Sequence, residues 1–537
     1  MNQAQPNEKM NADLVLPAQM PRAYATSEIV FAWLCLFAGY LFCRALPISR
    51  APLGTLCFLL FLYGATAAVF AVRKLPFRIL PYAVALSAIL FSVSLILSSN
   101  GLLRFLAYAY ALVSYLYWVN AVCRKSYRAR FSGKLLIDYF NALFPALDAI
   151  GAIFTAMFYG KAAKTGKTIL RLAIGVGIAV IPTTIVLALL SYDSAFSDLL
   201  SRIFDFSFTD VLSHIFSMLL AVPIGMYLFG TYASSRDIEN EGVISAEGLE
   251  KTKRSMQIAP VLTVVVSALP ILFLYAVFFI SQWQYYVSAF TGALPEGLSY
   301  AEYAREGFFQ LCTVSFINLL ILGAIHLFLR RQTKLASVIL KLATVLYGVC
   351  TLVLISTALS KMLLYIDRYG LTRLRVYTTC AMLVLAVGFL LLILRCFIPK
   401  IPAAATVMTV ALLAFGILCL GNADARIADY NADRYLDGTL ESVDVDAMEA
   451  LGDAGVPALV RVLPTLKEND LSAYYFAESA LERASIRCRY RENGFFAYSL
   501  PAQRAKEALR EAGFQTERLD TEETESGHAE TVDTTLP

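Results

Sequence analysis

The chain has 537 residues, is 58% hydrophobic and only 16% charged, and carries a formal net charge of +4 with a mean hydropathy of +0.62. Soluble domains run at about 45–50% apolar and about 25% charged, so this composition excludes an ordinary soluble protein. Apolar stretches of roughly 20 residues, the length that spans about 30 Å of hydrocarbon, recur along the chain and predict an all-α, polytopic transmembrane helix bundle.

In chain order, residues 1–24 are polar, contain Pro6, Pro17 and Pro21, and read as a disordered cytoplasmic N-terminus. Candidate spans follow at about 27–45, 52–72, 79–99, 102–123, 170–190, 211–233, 258–280, 308–329, 336–358, 376–394 and 403–420, about eleven in all, within a membrane domain of residues 25–420. Glu28, at the edge of the first, is expected to reach the headgroups. With the N-terminus inside, about 24 basic residues fall in cytoplasmic connections and about 9 in external loops. Counting Phe140–Phe158 as a twelfth span leaves about 16 inside and 17 outside and removes the bias. The expectation is therefore eleven spans, with the N-terminus cytoplasmic and the C-terminus extracytoplasmic.

The cytoplasmic connection 124–168 opens with Arg124, Lys125, Arg128, Arg130 and Lys134 and closes with Lys161, Lys164 and Lys167. Between them runs an apolar stretch interrupted by Pro145 and Asp148. It reads either as an interfacial helix held to anionic lipid headgroups or as a loop that dips into the core. The external stretch 281–307 begins with Gln282, Trp283, Tyr285 and Tyr286, an interfacial aromatic belt.

Residues 421–537 hold 12 basic and 23 acidic residues, a net charge of −11, against +15 for the rest. A basic membrane part suits an anionic lipid surface, and the acidic end argues against a nucleic-acid partner. Residues 421–514 read as a small extracytoplasmic helical domain and 515–537 as a disordered acidic tail. The stretch Asp453–Leu466 has the cadence of one helix of a HEAT-type pair, which cannot bury its apolar face alone. Helices are expected at about 471–487 and 502–512, the second ended by Gly513.

Catalytic and metal signatures are weak. The ten cysteines form no CxxC motif and no disulfide framework. Gly160–Thr168 has five residues between its first and second glycine where a phosphate-binding loop needs four, and it leads into an apolar span. His214 and His326 are isolated and read as structural hydrogen-bonding histidines. No catalytic residue, cofactor or metal site is predicted.

Two external segments stand out. Gly297–Leu311 carries Tyr300, Glu302, Tyr303 and Arg305 just before a span. Lys361–Arg375 breaks the apolar pattern with Asp367, Arg368, Tyr369, Gly370, Arg373 and Arg375. The helix pattern from about 336 to Tyr369 is about 50 Å long at 1.5 Å per residue, longer than the hydrocarbon is thick. Gly370 fits a helix C-cap and Thr372 the next N-cap. Arg373 and Arg375 then sit at a helix start, where the dipole disfavours cations. They either snorkel to the interface or meet an anion, with Asp367, Glu302, Glu306 and a lipid headgroup as candidates.

Tyr300–Leu311 (YAEYAREGFFQL), Tyr365–Tyr377 (YIDRYGLTRLRVY), Ile427–Gly438 (IADYNADRYLDG) and Asp453–Leu459 (DAGVPAL) resemble a bacterial integral membrane family catalogued as domain of unknown function 4173, related to 4153. The resemblance spans about residues 75–510. It implies a multi-span protein of the bacterial plasma membrane and transfers no activity. The leading expectation is a non-enzymatic envelope sensor, scaffold or partner-binding protein, with a protein partner at the C-terminal domain. The rivals are a transporter or lipid-handling permease, with a polar cavity near mid-membrane or a lateral groove reaching Arg373 and Arg375, and a membrane enzyme whose carboxylates converge from the external loops.

Overall fold

The computed structural model describes residues 24–45, 51–123, 135–158, 208–237, 246–281, 308–330, 333–491 and 494–517, with four single helical positions at 175, 182, 186 and 190. The secondary structure is helical throughout, apart from one isolated bridge between Ala259 and Leu329. The membrane part comprises α1 (Thr26–Ala45), α2 (Pro52–Val72), α3 (Ile79–Ser92) continued by α4 (Ser94–Leu97), α5 (Gly101–Cys123), the short α6 (Leu135–Asn141), α7 (Pro145–Asp148) and α8 (Ala152–Phe158), and α9 (Phe208–Asp237). It continues with α10 (Ala246–Met256), α11 (Val261–Ser281), α12 (Phe308–Phe328), α13 (Lys334–Tyr369), α14 (Arg373–Phe397) and α15 (Ala403–Leu420). The C-terminal domain is α16 (Ala423–Leu436), α17 (Val445–Glu449), α18 (Val456–Asn469), α19 (Leu471–Tyr490) and α20 (Leu500–Glu511).

Ten helices among the described residues are long and apolar enough to cross a membrane. They match the expected spans to within a few residues, except that the helix expected at 336–358 runs on to Tyr369, as the helix pattern there predicts. The expected span 170–190, apart from the four single positions, and residues 1–23 and 518–537 lie outside the described residues; at the start of the C-terminal tail the Gln515 carbonyl accepts from Ser485.

The helices form two groups. α1, α2, α3, α5 and α9 share a core that includes Phe31, Phe58, Tyr115, Trp118 and Phe229. α11, α12, α13 and α14 share another around Phe308, Tyr347, Ile355 and Phe389. α15 stands between them, against α14 on one side and against α3 and α5 on the other. There Phe91, Leu103, Ala107 and Cys419 make a small core of their own.

Direction is fixed by contacts at the helix ends. The C-terminal domain caps the start of α2, where Phe496 Cβ lies 3.3 Å from where a Cβ on Gly54 would be. It also caps the α4–α5 turn, where Ser99 Oγ donates to the Leu451 carbonyl at 2.7 Å. At the opposite end Ser235, near the end of α9, donates to Asn120, near the end of α5, at 2.8 Å. So α5 and α9 are parallel. The chain thus leaves α5 at the end far from the domain and enters α9 at the end near it.

The segment Leu135–Phe158 is bent by 52°. It packs one face on the first group and leaves Leu136, Phe140, Leu147 and Phe154 exposed on the other. Ala142, Ala146 and Ile153 are fully buried, and Tyr227 donates to the Leu143 carbonyl at 2.8 Å. Its basic flanks lie outside the described residues.

Glu28 departs from expectation. It does not face headgroups; it is fully buried. Its carboxylate accepts from Ala25 N at 2.8 Å, Tyr232 Oη at 2.8 Å and Arg236 Nη1 at 2.7 Å, with Arg73 Nη2 at 3.5 Å. Buried charge is tolerated when it is paired and hydrogen-bonded. Both histidines are hydrogen-bonded, His214 to Tyr40 Oη and His326 to the Leu322 carbonyl.

The domain core gathers Ile427, Ala428, Met448, Leu459, Val462, Leu466, Ala477, Leu481 and Leu509. α18 thus buries its apolar face against α16, α19 and α20. α20 ends at Glu511, with Gly513 at φ +85°, as expected. Arg483, bonded to both oxygens of Glu449 at 2.9 and 2.7 Å, holds that carboxyl below its ordinary pKa.

α1 and α9 cross at Gly39 and Gly225, where small residues let helix backbones approach. A Cβ on Gly225 would lie 2.9 Å from Leu36 Cα. Gly225→Leu is expected to destabilise the protein by about 1–3 kcal/mol, read as a lower thermal midpoint in detergent. Gly64→Leu, where nothing lies within 4 Å of an added Cβ, serves as the control and should change little.

Candidate functional site

The segment 361–375 is a helix–turn–helix held from outside. α13 stops at Tyr369 because Gly370 takes φ +72° and ψ −170°, a conformation open to glycine and strained for other residues. Its N–H still closes the last turn onto the Ile366 carbonyl at 2.8 Å. Thr372 caps α14 by accepting from Arg375 N at 3.4 Å. Both caps are as expected.

Asn431, on α16, clamps the turn. Its side chain accepts from Leu371 N at 2.7 Å and donates to the Leu371 carbonyl at 2.8 Å. Asn431 also sits where a side chain at position 370 would go, with its Cγ 3.0 Å from an ideal Cβ. Position 370 thus needs glycine for both backbone shape and space. Leu371 and Val376 add apolar contacts to the domain core.

Arg373 finds its anion in Asp424, in the first turn of α16. The pair is bidentate, Nε to Oδ1 at 2.8 Å and Nη2 to Oδ2 at 3.0 Å, and Nη1 donates to the Ala450 carbonyl at 2.6 Å. The Asp424 side chain is 1% exposed and that of Arg373 29%. Ser98 Oγ, 3.5 Å from Oδ2, is a weak further donor. Ser99 Oγ is 3.3 Å away, but its single proton is better used on the Leu451 carbonyl at 2.7 Å. A carboxylate at a helix N-terminus is also favoured by the dipole.

Arg375 resolves its unfavourable position differently. It stands at the start of α14 but reaches back to the end of α13. Nη1 donates to the carbonyls of Tyr369, at 3.0 Å, and Gly370. The guanidinium lies 4.0 Å from the centre of the Tyr365 ring. A cation at a helix C-terminus is stabilising, so one residue serves two helix ends of opposite sign.

Asp367 is not the partner of either arginine. It pairs with Arg434 of α16 at 3.3 Å, and Arg434 also donates to the Asp367 carbonyl at 2.8 Å. Arg368 meets Glu441 at 2.8 Å, an exposed pair that contributes little. The structure thus brings Asp367, Arg368, Tyr369, Gly370, Arg373 and Arg375 together, as one joint between bundle and domain. Tyr300, Glu302, Tyr303 and Arg305, with Glu306, lie outside the described residues.

The α4–α5 turn completes the joint. Asn100 donates to Tyr377 Oη at 2.7 Å and caps Leu103 N at 3.2 Å. Arg104, buried, donates to Ser499 Oγ at 3.0 Å. The residues that sequence reasoning missed are Asp424, Asn431 and Arg434. They are seven and three residues apart, along the side of α16 that also carries Ile427 and Ala428. Polar side chains on the apolar face of an amphipathic helix were the available signal.

Asp367, Arg368, Arg373, Arg375, Asp424, Asn431 and Arg434 are paired with one another or with nearby side chains and backbone carbonyls. Arg373 and Arg375 are engaged by Asp424, the Ala450 carbonyl and the carbonyls that end α13. Among the described residues no group of three metal-ligating side chains comes together. The described cysteines are free thiols.

Residues 85–462 match the family model described as Domain of unknown function (DUF4153). The chain belongs to that family. It is the relative of the 4173 family that the sequence motifs resemble. Both sides of the joint, from Ser98 to Ala450, fall inside the matched stretch. No curated protein and no solved structure matches the chain.

Removing one partner of a buried pair costs about 3–5 kcal/mol. Arg373→Ala should cost that much, because Asp424 stays sealed from water. Asp424→Ala should cost less, because Arg373 can turn to solvent. Thermal unfolding of the two single variants and the double variant tests this, and the double should be no worse than Arg373→Ala alone. Strictly additive losses would refute the coupling.

Proposed function

We propose that this DUF4153 protein is a non-enzymatic membrane scaffold that presents its C-terminal helical domain to a protein partner at the outer face of a bacterial plasma membrane. The observation that carries this reading is the joint: a buried bidentate ion pair and a backbone clamp make the domain an extension of the bundle. A surface so held is pre-organised, which lowers the cost of binding.

The surface offered is on α19. Leu471 and Tyr475 lie one turn apart on one face, Phe476 follows Tyr475, and all three are more than half exposed. Clustered exposed apolar residues on a helical domain mark interaction sites. Among aromatic residues, tyrosine is favoured as an interface anchor.

The orientation follows the distribution of basic residues. Arg73, Lys74, Arg78, Arg236, Lys334, Arg395 and Lys400 flank the ends of spans opposite the domain, as cytoplasmic residues do. In this reading the basic flanks of 124–168 meet anionic headgroups on that side.

Two experiments test the proposal. A photo-crosslinker at Tyr475 in cells should give a discrete adduct that is lost with Phe476→Asp and absent from a crosslinker at exposed Arg504. An adduct no stronger than at Arg504 would remove the partner surface. Separately, Ser442→Cys should react with an impermeant maleimide on intact cells. Reaction only after permeabilisation would reverse the orientation.

A further inference from the structure

A second feature of the domain end borders the joint at the Arg104–Ser499 contact and lies apart from the α19 surface. A cavity of about 550 Å³ opens where the starts of the membrane helices meet the α19–α20 arm. That volume is within the range of small-molecule sites, about 300–1,000 Å³. Its walls divide by chemistry. Leu53, Ile96, Phe495, Ala497 and Ala502 make an apolar side, and Ser499, Gln503, Arg491 and Lys506 a polar one.

The apolar side is at the edge of the hydrocarbon. Leu53 is the second residue of α2, and Ile96 is in the last turn before the α4–α5 loop. Phe495, Phe496 and Tyr498, on the turn beside the cavity, are exposed. Exposed aromatic side chains at span ends are headgroup-level anchors. The cavity is therefore positioned to receive a molecule whose chains remain in the bilayer.

The polar side is cationic. Arg491 is paired with Asp453 at 2.6 Å. Lys506, half-buried, has no hydrogen-bond or ion-pair partner among the described residues. Arg104 adds a third positive charge behind Ser499. It is 7% exposed, it donates to Ser499 Oγ at 3.0 Å, and its buried Nε has no acceptor. Because Ser499 Oγ already accepts from Arg104, its own proton is free to be donated. Two cations, Arg491 and Lys506, and the Ser499 hydroxyl line the cavity, with Arg104 behind the hydroxyl and Asp453 on Arg491; this balance favours an anion, and phosphate oxygens are acceptors for such donors.

We infer that this cavity binds the phosphate headgroup of an anionic membrane lipid, with Lys506 and Ser499 as its donors and the acyl chains descending past Leu53 and Ile96. Arg491 and Arg104 set the potential of the site.

The test uses the full-length protein in detergent, with native mass spectrometry of bound phosphatidylglycerol against phosphatidylcholine, and glycerol 3-phosphate as the headgroup without chains. Phosphatidylglycerol should be retained in preference to phosphatidylcholine. Lys506→Gln should weaken it about tenfold, the scale of one charge-assisted hydrogen bond, and Lys506→Arg should keep it. Arg426→Gln should leave it unchanged; Arg426 is an exposed arginine at the mouth of a separate apolar groove between α3 and α15. Thermal midpoints equal to the parent's establish that the variants are folded. Equal retention of the two lipids, no effect of Lys506→Gln, or an equal loss with Arg426→Gln overturns the inference. Glycerol 3-phosphate binding as tightly as the lipid overturns it too, because the ligand would then be soluble.

Discussion

The arrangement at the domain end depends on keeping the Asp424 carboxylate out of water. Burying such a charge costs several kcal/mol unless partners replace its hydration. Here the replacement comes from three parts of the chain: Arg373 at the start of α14, Ser98 in the α4–α5 turn, and the N-terminus of α16 itself. None of these can move alone without uncovering the others. A domain tethered only through the end of α15 would swing. This one is held at points far apart in the chain, and the Asn431 clamp on Leu371 adds a directional contact that apolar packing lacks.

Helix electrostatics explain why the turn is built from arginines. An arginine at the start of α14 is unfavourable if it points along its own helix. Arg373 points to a carboxylate and Arg375 back to the carbonyls that end α13, so each cation meets negative charge. The positive φ of Gly370 makes this reversal possible, by folding the end of α13 close enough for the start of α14 to cap it.

Much of this was legible in the sequence. The membrane spans announce themselves because about 20 apolar residues leave few alternatives in a bilayer. The break at Gly370 was legible too, since glycine between a helix pattern and a threonine is a local signal. Partners were not. Asp424 lies 51 residues from Arg373, and nothing local says which carboxylate a distant arginine will meet. Asp367, the nearer choice, was taken by Arg434. Glu28 misled for a related reason. A charge at a span edge suggests headgroups, and only the packing of α2 and α9 around it reveals Arg73 and Arg236.

α13 has a mechanical consequence. Its 36 residues make a rod of about 54 Å, far longer than the hydrocarbon it crosses. Its far end packs beside the start of α11 and the end of α12, where Ala336 and Ala343 share a core with Val264, Ile325 and Leu329. Its near end forms one side of the joint. A rod pinned at both ends answers a change in bilayer thickness by tilting. A tilt of about 10° about its midpoint would carry Tyr369 roughly 5 Å sideways. Arg434 of α16 holds the Asp367 carbonyl near that end at 2.8 Å, so the displacement would be passed to α16 and the domain.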